Sequence, residues 1–314
     1  VYRRQQQAQP AHQEAQNRQG REANHPPIIP KRMKCLKLLI VCCLMGATAS
    51  AQSISYTRTD SLRVVHLLKL GHKQPADTNF MLFYARQLKG LPYVAQTLEI
   101  HANERLVINL RQLDCTTYVE NVLALTRCAK HGQERFEDFC HYLQKIRYED
   151  NQVHYTHRLH YFSEWIADNE RIGLVKEVQT PNPPFTAQQQ IKVDFMSTHA
   201  EKYPMLVQHP EWISPIAQRE QKVNALTPRY IPTQAISNTP VCRDAIHDGD
   251  ILALVTNKPG LDISHVGIAV WHKDGLHLLN ASLLQKRVVE DKQLLADYLR
   301  KRGAQLGIRV VRAL

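Results

Sequence analysis

The chain has 314 residues, 22% of them charged, and its 40 Lys+Arg against 29 Asp+Glu give a formal charge of +11. Much of that excess lies at the start: residues 1–51 hold 8 of the basic and 2 of the acidic residues, which leaves 32 against 27, or +5, for the remainder. With so mild a balance, dispersed basic residues and no Gly-rich phosphate loop, the sequence offers no case for nucleotide or nucleic-acid binding.

Residues 1–32 are polar, Gln-rich and without hydrophobic periodicity, and we expect them to be an upstream extension outside the folded protein. Residues 33–51 have the three parts of a secretory signal. Lys34 and Lys37 make a basic start, Leu38 to Met45 is a short apolar run, and Ala49-Ser50-Ala51 is a small-residue cleavage site. The apolar run is well short of the roughly 20 residues a membrane span needs. Met33 is therefore the expected start, export the expected fate, and 52–314 the expected single domain, with no membrane span left after cleavage. Of the cysteines, Cys115, Cys128, Cys140 and Cys242 remain beyond the signal, with no CxxC pair that would suggest structural zinc. Cys128 and Cys140 are open to two readings, a bridge or two buried thiols.

Hydrophobic spacing predicts helices over 57–70, on Leu62, Val65, Leu68 and Leu70, and over 76–89. Residues 93–110 look extended. A helix then runs from Cys115 to about Lys130, with Val119, Val122, Leu123 and Thr126 on the face that Cys115 opens, and another covers about 134–146. Periodicity weakens from 151 to 240, where an aromatic and histidine cluster (154–165), a proline-bearing loop (180–184) and a helix near 192–201 stand out. Strand patterns follow at 229–231, 250–255, 265–271, 276–281 and 307–311, with Asp274-Gly275 as a hairpin signal. Helices first and antiparallel strands later indicate an α+β fold.

A thiol at a helix start gains nucleophilicity from unpaired N–H groups and the helix dipole, and Cys115 has that place. The strand 264–270 has Val266, Ile268 and Val270 on one face and His265 among Gly267 and Ala269 on the other, which leaves room for a helix end or a substrate beside the imidazole. Asn280 is the candidate to orient that ring, with Ser282 as the alternative. If Asp274-Gly275 is a two-residue turn, His265 faces Leu284 and Ala269 faces Asn280. That puts Asn280 on the correct face but roughly 13 Å along the strand, a gap a longer loop or a bulge would close.

Three blocks, Asp114-Cys115-Thr116-Thr117-Tyr118-Val119, Asp248-Gly249-Asp250-Ile251-Leu252-Ala253-Leu254 and Ser264-His265-Val266-Gly267-Ile268, together resemble the NlpC-type branch of papain-like cell-wall peptidases. Asn280-Ala281-Ser282 is similar to that family's His-Ala-Ser. Arg158 to Ile166 and Ile231-Pro232 resemble the N-acetylmuramoyl-L-alanine amidase-like proteins of Gram-negative bacteria. The resemblance implies a papain-like α+β fold, a nucleophile helix packed on an antiparallel sheet. It implies catalysis by Cys115, His265 and Asn280 through a thiolate–imidazolium pair and an acyl-enzyme, with the Cys115 N–H as oxyanion donor. The substrate it implies is peptidoglycan or a muropeptide, an anionic polymer that suits a mildly basic protein. Asp114 and Thr116 match positions that contact substrate in related enzymes, although Asp114 also suits a helix cap. Tyr161 and Ser264 are the further substrate-binding candidates, Tyr161 as one side of an aromatic wall with Trp165. Because 150 residues separate Cys115 from His265, an insertion at about 131–235 is expected, placed to wall the cleft.

No cofactor is called for. His154, His157 and His160 are spaced at threes, but no acidic ligand motif accompanies them, so no metal is expected there. Three rival activities stay open: a γ-D-glutamyl–diamino acid endopeptidase, an acyltransferase, and a non-hydrolytic wall-binding module.

Overall fold

The computed structural model describes residues 54–314; the signal-like segment and the residues before it lie outside the described residues. Strand β1 (Ile54–Ser55) pairs in parallel with β2 (Leu106–Val107), and between them lie helices α1 (Arg58–His72) and α2 (Phe80–Gln87). Thr57 and Asp60 form a capping box for α1. Asp60 is also buried, and it accepts the Leu110 N–H at 2.9 Å and Arg111 Nε at 3.2 Å. The inward face of α1 carries Asp60, Val64, Leu67, Leu68 and Gly71, while Leu62 points to solvent. The residues after Leu91 are mostly loop rather than strand; only Leu106–Val107 pairs regularly, though Leu106, Ile108 and Leu110 are buried.

Helices α3 (Cys115–Lys130) and α4 (Phe136–Arg147) follow, then α5 (Phe162–Arg171), β3 (Val175–Val178) and β4 (Ala187–Gln188). Three further helices, α6 (Phe195–Thr198), α7 (Pro204–Gln208) and α8 (Ile213–Asn224), precede β5 (Arg229–Pro232) and α9 (Pro240–Ala245). The chain ends with β6 (Ile251–Thr256), β7 (Ile263–Trp271), β8 (Leu276–Ser282), β9 (Arg287–Glu290), α10 (Leu295–Arg300) and β10 (Gln305–Ala313). The helix expected over 192–201 is only the four residues of α6 with a 3-10 turn after it.

Strands β4, β5, β10, β6, β7, β8 and β9 form one antiparallel sheet in that order, and β3 joins it on β10. One face carries Ile251, Ala253, Val255, Val266, Ile268 and Leu279 against α1 to α5, and this is the main core. The other face carries Leu252, Leu254, Ala269, Leu278 and Ile308 against Phe185, Ile246 and α10. A third core is separate. It gathers Tyr155, Tyr161, Ile191, Val193, Met196, Leu206, Ile216 and Val223. The expected insertion therefore divides: Phe139, Leu143 and Ile146 of α4 belong to the main core, and only residues within 155–226 build a core of their own. Cys128 and Cys140 are free and buried in the main core.

Within the main core α3 is held by a buried ion pair. Arg147 on α4 places Nε 2.8 Å from Glu120 Oε2 on α3 and donates a second bond to the Val107 carbonyl at 2.7 Å. Both side chains are almost fully buried, at 2% and 3% exposure.

Candidate active site

Asp114 caps α3. Its Oδ1 accepts the Thr117 N–H at 2.8 Å, and the Thr117 hydroxyl accepts the Asp114 N–H at 3.0 Å. Cys115 is thereby fixed as the first residue of a sixteen-residue helix, partly exposed, with its sulfur facing the Val266 N–H of β7 and the N–H and hydroxyl of Thr116. Burial, followed by the Asp114 carboxylate, pushes the Cys115 thiol up to about 11, against the pull of those donors.

Two irregularities of the sheet open this position. Pairing between β7 and β8 runs from Trp271↔Leu276 to Ile268↔Leu279, so residues 263–267 extend past it with β6 as their paired neighbour. Between β6 and β7 the register shifts: Leu254 faces His265, but Val255 faces Ile263. The extra residue is Ser264, and a bulge of this kind re-aims the side chain beside it. Ser264 is pinned by its own hydroxyl, whose single hydrogen is shared between Gln305 Oε1 at 2.8 Å and the Leu254 carbonyl at 3.2 Å.

His265 Nε2 lies 3.0 Å from Asn280 Oδ1. The amide is oriented by its nitrogen, which donates to the Leu278 carbonyl at 3.2 Å, so the oxygen faces the ring. An amide oxygen only accepts; Nε2 therefore carries the hydrogen and Nδ1 keeps its lone pair. Burial lowers the His265 pKa below its ordinary value, the Asn280 bond raises it in part, and the Arg302 charge lowers it again. Both shifts favour the uncharged forms, thiol and neutral imidazole, in the free protein.

Asn280 reaches His265 because the hairpin is one step different from the simplest sequence reading. The turn is centred on Lys273-Asp274, with the His272 N–H donating to the Gly275 carbonyl at 2.8 Å. Continuing the observed register sets Asn280 opposite Gly267 and Ser282 opposite His265. The separation along the strand falls to two residues, roughly 7 Å. A Cβ at Gly267 would lie 2.8 Å from Leu278 Cδ1 and 2.9 Å from Asn280 Cβ, so the glycine makes the space that Asn280 crosses. Gly267→Ala is accordingly expected to displace the amide and lower kcat/KM by about 10²-fold; steady-state kinetics on a folded variant checks this. Ser282 accepts the Gln285 N–H at 3.2 Å and so is engaged in the β8–β9 turn.

Cys115, Thr116, Ser264 and His265 line one cavity of about 250 Å³. Another wall comes from the segment before α5, with His160 and Tyr161, from Phe195 and Met196 of α6, and from Tyr203. Tyr161 thus lines the cavity, its hydroxyl donating to Glu220 Oε1 at 2.7 Å. Trp165 is fully buried and stacked on Phe162. Asp114 is occupied as the cap and does not line the cavity. Sequence reasoning missed Phe195, Tyr203 and Asp262. Aromatic residues spaced through a weakly periodic segment were the available signal for the first two. Asp262 gave none: its role is set by a bond from the Ser163 N–H at 2.6 Å that ties α5 to the start of β7.

Residues 84–308 match the family model described as AmiA-like, N-acetylmuramoyl-L-alanine amidase-like. The chain belongs to this family. Among solved structures, the chain is 36% identical to an N-acetylmuramoyl-L-alanine amidase from Bacteroides uniformis ATCC 8492, with a TM-score of 0.69 over 78% of this chain and 99% of that one. A Bacteroides fragilis protein provisionally named a xylanase is 40% identical, with a TM-score of 0.67 over 73% of this chain and 98% of its own. A Legionella pneumophila protein, 22% identical with a TM-score of 0.61 over 82% and 95% of the two chains, shares the fold. No curated protein matches. Among the described residues of this AmiA-like chain, no helix is long and apolar enough to cross a membrane.

Proposed function

We propose that this AmiA-like protein is an exported cysteine amidase that hydrolyses the bond between N-acetylmuramic acid and L-alanine in peptidoglycan or its muropeptide fragments. The observation that carries the reading is a thiol at a helix start and an imidazole lining one cavity, with the Asn280 amide bonded to that imidazole so that its Nδ1 keeps the lone pair. A papain-like arrangement accounts for all three. His265 takes the thiol proton as the Cys115 sulfur attacks the amide carbonyl, which forms a tetrahedral oxyanion at the start of α3, where the Cys115 N–H is placed to stabilise it. The imidazolium returns the proton to the leaving amine, L-alanine, and an acyl-enzyme remains on Cys115. Water, deprotonated by His265, then releases the lactyl carboxylate and restores the thiol.

The wall of aromatic and apolar side chains suits a sugar face more than an extended peptide. The name attached to the Bacteroides fragilis protein finds no support in this cavity. Glycoside hydrolysis in most families uses two carboxylates, and Asp262 is the one carboxylate among the lining residues, already bonded to α5.

Digestion of defined muropeptides with mass analysis of the products tests the reading. Free stem peptide and intact sugar are expected. Release of an L-Ala-D-Glu end would move the assignment to the γ-D-glutamyl bond, and transfer of the acyl group to an added amine would make the protein an acyltransferase. The pH profile is a second check. His265 must be unprotonated to act as base, so activity falls as pH drops through its pKa, and burial places that pKa below the ordinary 6.5. The acidic limb of kcat/KM is expected below pH 6.5, and Asn280→Ala, which removes a bond that raises the pKa, should move it further to the acid side. A wild-type limb above 6.5 contradicts the assignment.

A further inference from the structure

The turn of the β7–β8 hairpin carries a cluster unrelated to the cavity. His272-Lys273-Asp274-Gly275-Leu276-His277 folds back so that the rings of His272 and His277 lie 4.4 Å apart, and one donor atom from each of His272, Asp274 and His277 lies within 4.8 Å of the others. The bonding of each imidazole leaves one nitrogen to spare. His277 is buried, and its Nδ1 is 2.9 Å from the Asp291 carbonyl. A carbonyl only accepts, so Nδ1 carries the hydrogen and Nε2 presents a lone pair. That lone pair lies 3.0 Å from Asp274 Oδ1, itself an acceptor. Two acceptors at that distance require a positive species at the contact. A proton would satisfy His277 and Asp274 but would set an imidazolium against the second ring. A metal ion accepts lone pairs from all three.

His272 fits the same pattern. Its Nε2 is 3.0 Å from Glu290 Oε1, which leaves Nδ1 as its donor to an ion. Glu290 is already paired with Arg86 and Lys89 at 3.0 and 3.3 Å, and so orients the ring rather than supplying charge to an ion. A ligating histidine whose other nitrogen is held by a carboxylate or a carbonyl is a recurrent design of metal sites. At tetrahedral zinc, with bonds of about 2.0–2.2 Å, adjacent donors sit about 3.3 Å apart, close to the His277–Asp274 separation.

We propose that His272, Asp274 and His277 bind one divalent cation of borderline softness, with Zn²⁺ the best fit to two imidazoles and a carboxylate and water in the fourth position. The site lies about 23 Å along β7 from His265, too far for a part in hydrolysis. The ion would clamp the closed end of the hairpin whose open end carries His265 and Asn280.

The test uses the untagged, metal-stripped full chain with Cys115→Ala, so that the thiol cannot ligate. Calorimetric titration with ZnCl₂ is expected to show one equivalent bound, and Co²⁺ in its place should give the intense visible bands of a tetrahedral site. His272→Ala and Asp274→Asn, both at exposed positions, should each weaken Zn²⁺ binding at least about ten-fold while leaving the circular dichroism unchanged. Absence of stoichiometric uptake overturns the proposal. So does uptake that His272→Ala leaves intact, or that disappears only when His154 and His157 are replaced.

Discussion

Cys115→Ala is expected to lower muropeptide hydrolysis by at least about 10³-fold without unfolding the protein. The loss is large because, in the proposed mechanism, the thiol forms and breaks the covalent bond, and the Ser264 and Tyr161 hydroxyls of the cavity are already engaged, with Leu254 and Gln305 and with Glu220. The fold survives because the cap of α3 belongs to Asp114 and Thr117. His265→Ala should cost a comparable factor. The double variant should be little worse than either single one, since base and nucleophile act as a unit. Substrate binding by Cys115→Ala, measured calorimetrically, should persist. Activity retained in that variant would remove cysteine chemistry from the proposal, while binding with no hydrolysis even by the wild type would favour the wall-binding module.

Glu120→Ala is expected to destabilise the protein by about 3–5 kcal/mol. The substitution leaves the Arg147 guanidinium buried with the Val107 carbonyl as its remaining partner. Urea unfolding followed by circular dichroism measures the change. Replacing both members of the pair by methionine should recover most of the loss, because two well-packed apolar side chains avoid the desolvation that the ions suffer. A single variant as stable as wild type would show that the pair does not hold α3.

The parts of the site that depend on local pattern were legible in the sequence. The length of α3, its capped start and the alternation around His265 each follow from residues within a turn or a strand of one another. Parity also placed Asn280 on the same face as His265. The height of Asn280 was not legible, because Asp274-Gly275 is a strong turn signal, yet the tip forms at Lys273-Asp274 with Gly275 after it. A one-position change in the turn moves the opposite strand by two residues. The Ser264 bulge was equally hidden, since a serine in a strand pattern does not announce that two residues will face one. Helix α8 was missed for a different reason. Its inward positions are Ile216, Arg219, Glu220 and Val223, and the two charged members interrupt the apolar stripe. Both have partners in the fold: Arg219 pairs with Glu149 and Glu164, and Glu220 accepts from Tyr161.

The two sides of the cavity rest on different cores. Cys115 and His265 stand on elements of the main body, whereas Met196, Tyr203 and Tyr161 pack with Ile191, Val193 and Ile216 in a small cluster of their own. Mutations that reshape the second side need not disturb the packing that sets the distance between sulfur and imidazole. Substrate preference and chemical competence are therefore free to drift at separate rates. On the proposed function, an exchange of the 191–226 stretch between relatives would carry over substrate preference while leaving Cys115 and His265 where they are.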